Sequence, residues 1–132
     1  MRTAVDTSVL LSIFNGEPAA DEWLRLLIAA RRDGQLVICD VVYAEISCAF
    51  DHSATLDLQL QKMGVAYDPI TPATAFAAGR AFRAYRRRGG PREALIPDFL
   101  VAAHAECQAD RLAAADRGYF RTCFAKLTVI QP

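Results

Sequence analysis

The sequence predicts an α/β protein, a three-layer α/β/α sandwich with a central, mainly parallel sheet, formed by a single domain over residues 1–132. Three observations carry that expectation. Short apolar runs alternate with longer segments whose apolar residues recur at helical spacing. The runs are apolar throughout, the pattern of parallel strands covered on both faces. The length suits one domain, and no repeat, linker or low-complexity tract divides the chain.

Thr3-Ala4-Val5 reads as the first strand, ending at Asp6, and Val9, Leu10, Ile13 and Phe14 follow at helical spacing. A second helix has Pro18 in its first turn, Asp21 and Glu22 at its positive end, and Trp23, Leu24, Leu27 and Ile28 as its apolar stripe. Arg31, Arg32 and Gly34 end it. Leu36 to Cys39 is a short buried strand. Val41 to Phe50 is a helix facing inward through Val42, Ile46 and Ala49. A further helix is expected over 55–62 and a weak strand at Val65-Ala66-Tyr67. Thr71-Pro72 opens a longer helix with Ala78, Ala81, Phe82 and Tyr85 on its apolar face, and Arg86 to Gly90 ends it in a basic loop. Pro97 opens the next helix, whose Ala102, Ala103 and Ala105 allow close packing. Arg111 to Ala114 is a strand followed by Asp116, Tyr119 to Phe124 a helical segment, and Leu127 to Ile130 the last strand.

Hydrophobic residues make up 53% and charged residues 23% of the chain, with 7 Gly and 6 Pro, which excludes a disordered or fibrous class. No apolar run approaches the ~20 residues that span a bilayer. The first residues reach an acid, Asp6, too early for a signal peptide, so a cytoplasmic protein with no membrane segment is expected. Cys39, Cys48, Cys107 and Cys123 lack zinc spacing and read as reduced thiols. Formal net charge is zero but uneven: residues 1–68 hold 10 acids and 5 Lys/Arg, and residues 69–132 the reverse. Such asymmetry marks either an anion-binding face or a solvated surface.

Four acids stand in apolar surroundings. Asp6 lies between an apolar strand and an apolar helix, Glu45 lies within Val41–Ile46, Asp98 opens an Ala-rich helix, and Asp116 follows a strand. Each alone has an ordinary structural role: a helix N-cap for Asp6, a solvent-facing helix position for Glu45, the helix dipole for Asp98, turn chemistry for Asp116. Acids among core-forming segments are costly, however, unless paired or bound to a cation. Ligands of parallel sheets gather at the carboxyl ends of the strands, where Asp6 and Asp116 are expected.

An early Asp-x-Ser at Asp6 and Ser8, Glu45 within a helix, Asp98 opening an Ala-rich helix and Asp116 ahead of Gly118-Tyr119-Phe120 occur in that order. The pattern resembles the PIN-domain ribonucleases, most closely the VapC-type toxins of bacterial toxin–antitoxin pairs, over essentially the whole chain. The resemblance implies a metal-dependent endoribonuclease whose catalytic, metal-holding acids are Asp6, Glu45, Asp98 and Asp116, with Ser8 supporting the first. It also implies Mg²⁺ or Mn²⁺, an RNA substrate cut to leave a 5′-phosphate, a small antitoxin in the cleft and a homodimer. Two positions depart from the family pattern: Ala114 stands where Thr or Ser is common, and Gly118 where some members carry a further acid. Both flank Asp116.

The chemistry suits these groups. Converging carboxylates cannot all ionise side by side without a cation. A hard divalent metal resolves that repulsion, lowers the pKa of a bound water and polarises the phosphoryl oxygen. Arg80, Arg83, Arg86, Arg87, Arg88 and Arg92 form a candidate phosphate track, the alternative being a solvated helix face. His52 reads as exposed and His104 as a packed or surface residue, neither of them catalytic. Two rival functions remain. A Mg²⁺ phosphatase would favour Asp at position 8, where this chain has Ser8. A silent PIN-like module would bind RNA or protein and cut nothing.

Overall fold

The computed structural model describes residues 1–90 and 95–132, with backbone alone at Tyr119 and Arg121. Five parallel strands form one sheet: β1 (Arg2–Val5), β2 (Gln35–Ile38), β3 (Val65–Tyr67), β4 (Arg111–Ala113) and β5 (Val129–Ile130), in the order β3-β2-β1-β4-β5. The predicted class holds, and the described sheet is parallel throughout. Helices α1 (Thr7–Phe14), α2 (Ala20–Asp33), α3 (Asp40–Ser47), α4 (Ser53–Met63), α5 (Pro72–Arg87), α6 (Ile96–Gln108) and α7 (Tyr119–Cys123) flank it.

The two strands at the centre of the N-terminal half explain the three layers. Thr3, Ala4 and Val5 of β1 and Leu36, Val37 and Ile38 of β2 are all buried, so both faces of the sheet are covered. Against β1 and β4 lies α6, whose Ala102, Ala103 and Ala105 are fully buried. Small residues there let the helix approach the strands closely. Helix α5 starts where Thr71 Oγ1 accepts a hydrogen bond from the Thr74 amide at 3.2 Å and Pro72 supplies a preset φ. It packs along α6 through Ala78, Ala81, Phe82 and Tyr85, as the periodicity predicts.

Helix α2 differs from expectation. It begins at Ala20, past Pro18, and buries Leu27 and Ala30, while Leu24 and Ile28 stand exposed. Leu24 instead borders a groove of about 400 Å³ that Ile13, Phe14, Phe50 and Met63 also line, and Ile28 borders an adjoining groove of about 240 Å³ with Lys62 and Met63. Helix α3 ends at Ser47, so Ala49 falls beyond it and is exposed. Among the described residues no helix is long and apolar enough to cross a membrane.

A polar network lies beneath α6. Asp68, just after β3, accepts hydrogen bonds on one oxygen from His104 Nε2 at 2.8 Å and Gln108 Nε2 at 3.1 Å, and the same oxygen forms an ion pair with Arg2 Nη2 at 3.0 Å. A carboxylate only accepts, so His104 carries a proton on Nε2. His104 is 1% exposed and would be left without an acceptor if Asp68 were removed. Asp68→Ala is therefore expected to cost about 1–3 kcal/mol, read as a lower denaturation midpoint. An unchanged midpoint would show the network to be energetically neutral.

Candidate active site

Asp6 follows β1 directly and occupies the N-cap position of α1, yet its side chain makes no capping hydrogen bond. The carboxylate turns the other way. Its Oδ2 accepts from Ser8 Oγ at 2.5 Å and from Arg117 Nη2 at 3.3 Å. With Asp6 only 6% exposed, an ionised carboxyl here requires a cation beside it. Ser8 fixes the carboxylate's orientation, in the supporting position the Asp-x-Ser spacing suggests.

The cation is Arg117, on the loop between β4 and α7. Its Nη2 reaches Asp6, and its Nη1 donates to Asp98 Oδ1 at 3.1 Å. Asp98 arrives from the opposite direction, in the first turn of α6, where its Oδ2 accepts from the Leu95 amide at 3.0 Å. That second bond is the ordinary helix-start role, and it pins the carboxylate while the first oxygen stays directed at the guanidinium. One cation thus joins two carboxylates at the carboxyl edge of the sheet. Sequence reasoning missed Arg117, which sits beside Asp116 in a stretch that reads as a turn. Its place next to a candidate acid was the available signal.

The other two acids stand around this pair. Glu45 lies exposed near the end of α3, and its Oε1 accepts from Thr7 Oγ1 at 2.6 Å, the residue after Asp6. Asp116 comes three residues after β4, the neighbour of β1 in the sheet. Its Oδ1 accepts from the Gly118 amide at 2.9 Å, and its own amide donates to Gln131 Oε1 at 3.3 Å. Gly118 adopts φ +79°, a conformation that favours glycine, which gives one departure from the family pattern a backbone reason. The other departure, Ala114, is fully buried. The structure therefore joins Asp6 to Asp98 through Arg117 and ties Glu45 to the same edge through Thr7, with Asp116 held in its own turn. Among the described residues no three His, Cys, Asp or Glu side chains are already arranged around a common metal position.

Neither histidine belongs to the cluster: His52 is exposed before α4, and His104 serves the Asp68 network. The cysteines are free, and burial holds the Cys39 thiol above its ordinary pKa, so it stays protonated and unreactive. Of the basic residues, Arg80, Arg83, Arg87 and Arg88 line one concavity of about 370 Å³ on α5, whereas Arg86 lies over the Phe82 ring at 5.7 Å. Arg80 lies 5.7 Å from the ring of Phe76, itself 68% exposed. None of the five forms an ion pair with a described residue. Arg92 lies outside the described residues.

Comparison with known proteins agrees with this architecture. The structure is similar to that of VapBC2 from Rickettsia felis bound to a DNA fragment from its promoter, with a TM-score of 0.75 and 16% identity over 98% of each chain. It is also similar to FitAcB from Neisseria gonorrhoeae, with TM-score 0.68 and 17% identity over 98% of this chain and 96% of that one. VapBC-1 from nontypeable Haemophilus influenzae gives TM-score 0.68 and 20% identity over 98% and 97%. At these identities the likeness is one of fold. No curated protein sequence matches the chain significantly. The PIN domain profile, however, matches residues 3–125, nearly the whole chain, and the protein therefore belongs to the PIN domain family.

Proposed function

We propose that this protein is a Mg²⁺- or Mn²⁺-dependent endoribonuclease of the VapC toxin type, acting at the edge where Asp6 and Asp98 meet. The observation that carries the proposal is the pairing of those two carboxylates on a single cation, Arg117, with Asp6 buried. A binding surface for RNA has no need to draw its own acids together, since carboxylates repel phosphate. A hydrolytic metal centre needs that arrangement.

In this reading Asp6, Glu45 and Asp98 hold the principal metal, some of them through water. Ser8 keeps Asp6 in one orientation, and Thr7 keeps Glu45 close to it. Asp116 completes the acidic edge from the adjacent strand connection. Bound there, the divalent ion supplies Lewis-acid activation of water and neutralises charge developing on the phosphoryl oxygens. The oxygen-only donor set suits Mg²⁺ or Mn²⁺ rather than zinc.

Arg80, Arg83, Arg87 and Arg88 would guide the RNA backbone, since four guanidiniums around one concavity invite a polyanion. Arg86, at the same end of α5, would add to the local positive field. Replacing Arg83 and Arg87 together by Ala should weaken RNA binding and reduce the slope of log K against log salt by about 1.5. A slope equal to that of the unmodified protein would remove these residues from the interface.

The partner assignment follows the toxin reading. The similar structures include VapBC2 and VapBC-1, and the partner we assign to this chain is a small antitoxin that occupies the acidic cleft. A homodimer of the toxin is part of the same reading. The direct test is cleavage of a total RNA pool by purified, antitoxin-free protein. Cleavage in Mg²⁺ or Mn²⁺ that EDTA abolishes is expected. Equal cleavage in EDTA would exclude the mechanism, and RNA binding without cleavage would favour a silent binding module.

A further inference from the structure

The groups that would take a metal ion are already occupied by a cation of the chain's own. Arg117 donates to Asp6 Oδ2 through Nη2 and to Asp98 Oδ1 through Nη1, at 3.3 and 3.1 Å. We infer that Arg117 is a built-in counter-ion of the acidic site, holding the two carboxylates together while no metal is bound, and that a divalent ion enters by displacing it. This rests on the proposal that Asp6 and Asp98 are metal ligands.

Two physical requirements lead to it. First, the pair cannot stand ionised without a cation, because Asp6 is buried and Asp98 is drawn to the same point. Arg117 meets that requirement and keeps the two carboxylates facing one another, which shortens the rearrangement that metal entry demands. Second, a guanidinium and a divalent ion seek the same oxygen lone pairs. A divalent ion held by Asp6 and Asp98 would compete for the oxygens that now accept from Arg117, so the two cations would exclude each other.

The geometry also allows Arg117 to leave. Its Nη2 and Nη1 reach two different carboxylates, rather than both gripping one in a bidentate pair. Its side chain is 38% exposed, and Gly118 at φ +79° follows it on a loop rather than in a helix or strand. Because the guanidinium is itself partly exposed, its competition should lower metal affinity by only about tenfold.

The test is Mn²⁺ binding in the absence of RNA, by calorimetry or by the paramagnetic resonance of free Mn²⁺, for the unmodified protein, Arg117→Gln, Arg117→Lys and Arg25→Gln. Arg117→Gln should bind Mn²⁺ about tenfold more tightly. Arg117→Lys retains the charge and should stay near the unmodified protein. Arg25→Gln removes an exposed cation of α2 and controls for long-range charge with less than about twofold change. A second readout needs no variant to be stable: the Arg117 side-chain N–H resonance, assigned by through-bond correlation to its own backbone, should shift when the unmodified protein is saturated with Mg²⁺. Equal or weaker Mn²⁺ binding by Arg117→Gln, or an Arg117 resonance unmoved by Mg²⁺, overturns the inference while leaving the metal site standing. Failure of both the unmodified protein and Arg117→Gln to bind Mn²⁺ would overturn the metal site together with it.

Discussion

Asp6→Asn is expected to reduce RNA cleavage by at least ~100-fold, the upper end of what losing even an indirect metal contact costs. The substitution keeps the shape of the side chain, and Ser8 can still donate to the amide oxygen. What disappears is the negative charge at the one buried acid of the cluster. Arg117 would remain paired with Asp98, so the fold should survive with a denaturation midpoint close to that of the unmodified protein. The measurements are initial cleavage rate in Mn²⁺ and urea unfolding, side by side. A variant that cuts within a few-fold of the original would place the metal elsewhere.

Phe99→Ala is expected to cost about 3–5 kcal/mol, a large part of the ~5–15 kcal/mol that holds a domain folded. Phe99 is fully buried. Its ring lies 5.2 Å from those of Phe82 and Tyr85 and 5.6 Å from that of Phe124, in tilted or edge-on arrangements, so it joins α5 and the segment after α7 to α6. It is also the residue after Asp98, and a cavity there would loosen the first turn of α6 that aims the carboxylate. Urea unfolding should show the loss directly, and at temperatures where the variant stays folded its cleavage should be weaker too. A loss below about 1 kcal/mol would mean that the surrounding rings close the gap, which the packed interior of a small domain rarely permits.

The parts of the fold that could be read from the sequence are those where one physical requirement dominates. Leu36-Val37-Ile38 is apolar at consecutive positions because both of its faces are covered, and no helical stripe is that short. Thr71-Pro72 marks the start of α5 because it combines a capping hydroxyl with a preset φ. The error in α2 has the opposite origin. Leu24 and Ile28 share the apolar character of Leu27, yet they line a groove at the surface instead of the core. Periodicity reports which face of a helix is apolar and says nothing of whether that face meets the interior or an open groove.

The site divides along the same line. Asp6 and Asp98 were legible because an acid embedded in core-forming segments needs a partner, and the structure gives them one in common. Glu45 was legible as a candidate, but its link to the edge passes through Thr7, a side-chain pairing across 38 residues that spacing cannot reveal. Arg117 escapes a reading of the sequence because its partners lie 111 and 19 residues away. The Asp68–His104 pair, across 36 residues, was hidden for the same reason. Local pattern identifies which groups are expensive to bury. Only the tertiary arrangement shows which groups offset that cost.

The most direct test of the central claim, that Asp6 and Asp98 together hold a divalent ion, is a crystal of the antitoxin-free protein soaked in Mn²⁺ and measured for anomalous scattering. The account predicts one strong peak at roughly 2.0–2.3 Å from carboxylate oxygens of both Asp6 and Asp98, with the Arg117 guanidinium moved away from them. A fully soaked crystal with no peak at that position, and Arg117 still bridging the two acids, would contradict it.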